Sequence, residues 1–206
     1  MALKATNTEQ AILEAAEKIF TQKGYSETRT TEIAEAAGVN HALLHYYFRT
    51  KEALFEQIFQ KKATQMFDSF ANAFDGDLPF FEKLQVGIEN HFDCITQDPG
   101  LPFFIMREIV QNEERKQTVH QRIAPMAYEM IKRVSILIQK EIGKGTIRPI
   151  NSRDLLLNII SLNVFSFVAI QVLFDSKDAS QSKIPKQFLE ERKKNNVETI
   201  INSIKL

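Results

Sequence analysis

Residues 41–47 read His-Ala-Leu-Leu-His-Tyr-Tyr, and no acidic residue occurs between Glu35 and Glu52, while Arg49 and Lys51 stand near the far end of that stretch. The whole chain carries 26 basic and 26 acidic residues, so any positive surface must be local, and this segment supplies one. On a helix, His41, Ala42, Leu43, His45 and Tyr46 fall on one side. A face of two histidines, a leucine and a tyrosine is odd for a solvated helix and suits insertion into a DNA major groove.

That face needs two short helices held at a fixed angle. Thr30 or Thr31 can cap a helix through Ala37, Gly38 breaks it, and Asn40 can cap a second helix through Phe48. Glycine at the turn tolerates positive φ without a Cβ penalty, and small Ala34 lets the two helices cross closely. Ile33, Ala37, Val39 and Leu44 form the apolar side of the pair. They pack against Ile19 and Phe20 of a first helix that runs from about Thr8 to Lys23, with Gly24 just past its end. Thr50 opens a longer fourth helix. The same hairpin could serve as a protein-interaction module with exposed aromatics, and salt separates the two readings: contacts to phosphate weaken steeply with salt, apolar contacts do not.

The remainder keeps the helical period. Apolar residues recur at three- and four-residue spacing, with only seven glycines and six prolines in 206 residues, which predicts an all-α protein. Helical stretches are expected near 51–74, 79–97, 101–112, 116–143, 152–175 and 186–205. Breaks are expected at Asp75-Gly76-Asp77, Asp98-Pro99-Gly100, Gly143-Lys144-Gly145 and the polar run Ser176–Ser182, with a kink or break near His120–Arg122 ahead of Pro125. One cysteine, Cys94, excludes an internal disulfide framework, and the opening MALKATNTEQ lacks a signal-peptide pattern, so a cytoplasmic protein is expected. Residues 155–174 hold no charge and are long enough to span a bilayer. Asn158, Ser161, Asn163, Ser166 and Gln171 would need partners there, which favours a helix buried in protein and no membrane association.

Enzyme and metal chemistry find little support. His91-Phe92-Asp93-Cys94 lacks the i, i+4 spacing that places two ligands together, and no second cysteine exists. No phosphate-binding glycine loop, GxSxG elbow or paired-His zinc motif is apparent, so no catalytic residue, metal site or cofactor is expected. The middle helices are rich in Phe and Met, which any helical bundle uses as core. A subset, with a few polar groups, can line a cavity for an apolar ligand, and the candidates are His91, Cys94, Phe103, Met106, Arg107, Met126, Met130 and Asn163.

Residues 9–54 resemble the N-terminal domain of TetR-family regulators along its whole length. ILEAAEKIFTQKGYSETRTTEIAEAAGVN resembles the opening helix, the Gly-aromatic turn and the second helix, and LLHYYFRTKEAL resembles the end of the recognition helix and the start of the fourth. The resemblance implies that His41, Ala42, Leu43 and Tyr46 approach base edges and that Thr30, Thr31, His45, Tyr47 and Lys51 approach phosphates. It also implies a DNA-binding domain over 1–52 and a helical effector-binding and dimerisation domain over 53–206. Homodimerisation through the helices near 152–175 and 186–205, an operator in double-stranded DNA, repression rather than activation, and release by a small, largely apolar effector follow in the same way. Two positions depart from the family pattern. Leu43 stands where a small polar residue is usual and His45 where tyrosine is usual, which leaves a thymine methyl, but no hydrogen bond, for Leu43 to recognise.

Overall fold

The three- and four-residue spacing of apolar side chains becomes helix in the computed structural model, which describes residues 2–110, 113–173 and 185–206. The helices are α1 (Ala2–Glu27), α2 (Thr30–Ala36), α3 (His41–Tyr47), α4 (Lys51–Ala71), α5 (Phe80–Gln97), α6 (Leu101–Val110), α7 (Glu113–Gly143), α8 (Ser152–Leu173) and α9 (Lys186–Ile204). A 3-10 turn over Asn72–Phe74 closes α4, and an isolated antiparallel bridge joins Ile147 to Lys205. No β-strand occurs among the described residues. The expected loop at Ser176–Ser182, with the helix ends at 174–175 and 111–112, lies outside them.

The chain folds as two compact units. The first comprises residues up to Thr64 together with Gly100–Ile123, so the packing that holds the helix-turn-helix extends well past residue 52. Its core explains why. Ile12, Ala16 and Phe20 of α1, Ile33 of α2, Leu44 of α3, and Leu54, Phe55 and Ile58 of α4 are all almost fully buried. Phe55 meets Phe20 edge-on at 5.0 Å between ring centroids, and Phe104 of α6 packs at 5.6 Å from Phe55 and 5.8 Å from Phe59. Each such aromatic contributes roughly 1.5–3 kcal/mol through burial. At the edge of this core Glu17 accepts from Lys61 at 2.8 Å and pairs with Lys62 at 2.7 Å. Burial pushes its carboxyl up, but the two ammonium groups outweigh that and hold it below the usual carboxylate range.

The second unit comprises Gln65–Pro99 and Ala124–Leu206. α5, α8 and α9 and the C-terminal part of α7 enclose Leu84, Ile88, Val134, Ile138, Leu155, Ile159, Val197 and Ile200. Gly87 lets α5 approach closely, since a Cβ there would stand 3.0 Å from the Phe70 ring. Pro125 lies inside α7, which continues without the expected break, and the boundary between the units falls at Ile123–Ala124. Proline lacks an N–H, so Gln121 C=O has no partner along the helix at that point.

α8 has the length and hydropathy to cross a membrane over Ser152–Ile170. Of the polar side chains expected to need partners, Asn163 and Ser166 have them, whereas Asn158 and Ser161 are exposed. Asn163 is wholly buried and bonded to α5 and α9, and Ser166 donates to Leu162 O and accepts from Arg192 Nε at 3.0 Å. These are the properties of a core helix.

Candidate nucleic-acid interface

The turn between α2 and α3 is built from backbone bonds and one glycine. Ala37 N–H donates to Ile33 O at 2.9 Å, Gly38 N–H to Glu35 O at 3.0 Å and Val39 N–H to Ala34 O at 3.0 Å, with Gly38 at φ 67°. That is a helix C-terminus completed by a left-handed residue, which any Cβ would strain. Asn40 then caps α3, its side chain accepting from Leu43 N–H at 2.8 Å. The cap of α2 differs from expectation. Arg29 is the N-cap residue, Glu32 reaches back to its N–H at 3.3 Å, and Thr30 is already inside the helix. The Thr30 hydroxyl faces α3 instead, 2.9 Å from His41 Nε2. Similarly, the first helix is assigned from Ala2 to Glu27, but Gly24 interrupts it at φ 80°.

This scaffold buries only Leu44 of α3 and leaves His41, Ala42, Leu43, His45 and Tyr46 exposed. Tyr46 is the most exposed, at 78%, and stacks edge-on with half-buried Tyr47 at 5.3 Å. His45 Nδ1–H donates to Arg49 O at 3.3 Å, and its Nε2 lies 3.2 Å from His41 Nε2, so the two imidazoles and Thr30 form one polar cluster on this face. Lys51 lies at the edge, its ammonium 4.2 Å above the centre of the Tyr25 ring, while Thr31 and Arg49 are exposed. Glu32 in α2 pairs with Lys23 at 2.9 Å. The nine residues expected to meet DNA therefore lie on α2, α3 and the first turn of α4, with eight of them flanking or forming the α2–α3 hairpin.

Residues 12–58 match the model of the bacterial regulatory proteins of the tetR family. Over this segment the chain is similar to that family. A fatty acid metabolism regulator protein of Bacillus subtilis is 27% identical over 111 residues, which is 53% of this chain and 57% of that protein. The HTH-type transcriptional regulator AcrR of Shigella flexneri is 40% identical over 107 residues, 52% of this chain and 40% of that protein. The matched segments thus span roughly half of these relatives or less. Solved structures reproduce the architecture over nearly the full chain. A TetR transcriptional regulator from Chloroflexus aurantiacus covers 98% of each chain at a TM-score of 0.72 and 19% identity. A Clostridium perfringens protein assigned as a fatty acid metabolism regulator covers 95% of this chain and 99% of its own at 0.74, also with 19% identity. At that identity the likeness is one of fold, and the all-helical TetR architecture is the fold of this chain.

The candidate effector residues separate between the two units. Phe103, Met106 and Arg107 belong to α6 in the first unit, where Met106 is 51% exposed. Arg107 donates to Phe20 O at 3.0 Å, Thr21 O at 3.2 Å and Gln22 O at 3.4 Å, and Glu108 accepts from Tyr25 N–H at 3.2 Å. Its guanidinium thus satisfies the open carbonyls at the end of the α1 helix. Gly24 is required beside it, because a Cβ there would stand 2.8 Å from Arg107 Nε. His91, Cys94, Met126, Met130 and Asn163 belong to the second unit. There Asn163 Nδ2 donates to Ile88 O and His91 Nδ1, both at 3.0 Å, and Asn196 Nδ2 donates to Asn163 Oδ1 at 2.9 Å. Nδ1 is therefore an acceptor, and burial pushes His91 down to about 4, so the ring is neutral at physiological pH. Asn196 was not singled out in the sequence, since nothing local distinguishes a buried asparagine on a charged helix. A groove of ≈ 280 Å³ also runs between α8 and α9, lined by Leu162, Phe165, Ile170, Phe188 and Arg192 among others. None of the expected effector residues lines it.

Proposed function

We propose that this protein is a sequence-specific DNA-binding transcriptional regulator, acting as a homodimer with one recognition helix, α3, in each of two successive major grooves. The observation that carries the reading is the exposed, acid-free face of α3, held by a hairpin whose other side buries Ile33, Ala34 and Leu44. His41, Ala42, Leu43 and Tyr46 contact base edges, and Thr30, Thr31, His45, Tyr47 and Lys51 contact phosphates. DNA binding belongs to residues 1–52, and effector binding and dimerisation to 53–206. Dimerisation is supported by α8, which exposes Leu157 at 60% and Phe165 at 65% while burying Asn163. A two-fold pairing of α8 and α9 would cover that apolar face and set two recognition helices a helical turn of DNA apart.

The effector is a small, largely apolar molecule that releases a repressor from its operator, bound among His91, Cys94, Met126, Met130 and Asn163. Similarity to a fatty acid metabolism regulator protein of Bacillus subtilis makes fatty acyl compounds the first class to test. The same reading expects a cytoplasmic regulator that acts without a membrane and without catalysis. Selection of bound duplexes from a random pool at two salt concentrations tests the central claim. An enriched inverted repeat with salt-sensitive binding is the expected result, and no enrichment would overturn it.

A further inference from the structure

The histidine pair on α3 has a property that DNA contact alone does not require. His41 and His45 are four residues apart, so their rings lie one above the other on the helix, with centroids 4.3 Å apart and planes at 87°. Their Nε2 atoms approach to 3.2 Å. His45 Nδ1 can only donate to the Arg49 carbonyl, so in the neutral ring its Nε2 carries a lone pair. His41 Nε2–H fills the gap and also reaches Thr30 Oγ1 at 2.9 Å.

We infer that His41 and His45 form a two-imidazole site for a first-row divalent cation such as Zn²⁺, and that metal and DNA compete for it. Zinc–imidazole bonds are about 2.0–2.1 Å long, so a 3.2 Å separation of the two nitrogens subtends about 100° at the metal, between the octahedral and tetrahedral values. The backbone carbonyl that holds His45 Nδ1–H is the outer-sphere partner that metal-bound histidines use to orient the ring and aim Nε2. On binding, the proton of His41 moves from Nε2 to Nδ1, and the metal takes its place between the rings. Thr30 Oγ1 then stands within reach of a metal-bound water. No group of three or more His, Cys, Asp or Glu residues that could hold a metal occurs among the described residues, so water completes the coordination and the site is open and exchangeable.

The competition rests on the proposed DNA-binding role of α3, whereas the metal site does not. A metal on both Nε2 atoms takes away the groups that would otherwise face base edges and phosphate, and adds a hydrated ion to the face that enters the groove. By linkage, bound duplex must weaken metal binding by the same factor. The test is equilibrium dialysis of the untagged full-length protein against Zn²⁺ at neutral pH, with and without the selected duplex. His41→Ala, His45→Ala and, as a control, His120→Ala are compared, and their folding is checked by circular dichroism. One zinc per chain, held at least ~10-fold more weakly in each of the first two variants, unchanged in the control and displaced by duplex, is expected. Absence of saturable zinc, equal binding in His45→Ala, or zinc retained alongside bound duplex would overturn the inference. Zinc held through both histidines by a protein that binds no duplex would leave the site standing and remove the DNA-binding reading instead.

Discussion

α3 and α8 are both poor in charge, yet they differ in which polar side chains they bury and which apolar ones they leave exposed. α3 buries one leucine and turns imidazoles, phenols and Leu43 to solvent. α8 buries Asn163 and Ser166 and turns Leu157, Ile160 and Phe165 to solvent. Burying an amide costs free energy unless its hydrogen bonds are met, and α8 meets them with Asn196, Ile88 O and His91. Polar groups on α3 need no such partners, because water or a phosphate can serve. The two helices therefore present different surfaces: imidazoles and phenols in an acid-free stretch on α3, and large apolar side chains on α8.

The contrast can be broken most severely at its anchor. Leu44→Ala removes the buried hold on α3 and should cost about 2–5 kcal/mol of stability, read as a lower denaturation midpoint. A cost below about 1 kcal/mol would show that α3 is held by something else. Next, Leu157→Lys combined with Phe165→Lys should split the dimer, worth about 2–4 kcal/mol of association, with a monomer in sedimentation and an intact helical signal. A dimer that survives would remove α8 from the interface.

The buried side of α8 is sharpened by pH. His91 takes a proton near 6.5 when unfolded and only near 4 when folded, so between those values the unfolded chain binds more protons. Stability is complete above about pH 6.5 and falls as pH drops through that window, by about 2 kcal/mol from pH 7 to 5. Urea unfolding at the two pH values measures it, and His91→Gln should flatten the difference.

Smaller effects belong to the α3 face. Tyr46→Ala should leave stability unchanged yet lose about 1–3 kcal/mol on the selected duplex and little on random DNA. Equal losses on both would refute a base-reading role. Lys51→Ala should weaken all duplexes alike and lower the salt slope by about one.

The helix-turn-helix was legible almost to the residue, because its signals are local. Gly38 and Asn40 act on backbone groups no more than four residues away, and the apolar period around Ile33 and Leu44 needs only a helix to be read. The cap of α2 was misjudged within the same stretch, since Thr30 and Thr31 are ordinary capping residues and only the placement of α3 draws the Thr30 hydroxyl to His41. The i, i+4 pairing of His41 and His45 went unread in the sequence, where no paired-His motif was recognised, and their common hydrogen-bonded cluster with Thr30 required two helices in position.

What the sequence determined by itself was helix, turn and the outward polar face of α3, all set by interactions within a few residues. Tertiary structure alone decided that Arg107 closes the end of a helix 85–87 residues away, and that Asn163 is paired with Asn196 across 33. It alone decided that α6 joins the N-terminal core and that α8 keeps Asn163 inside while exposing Asn158. A side chain's partner over such separations depends on which surfaces pack, and nothing in a local pattern encodes that choice.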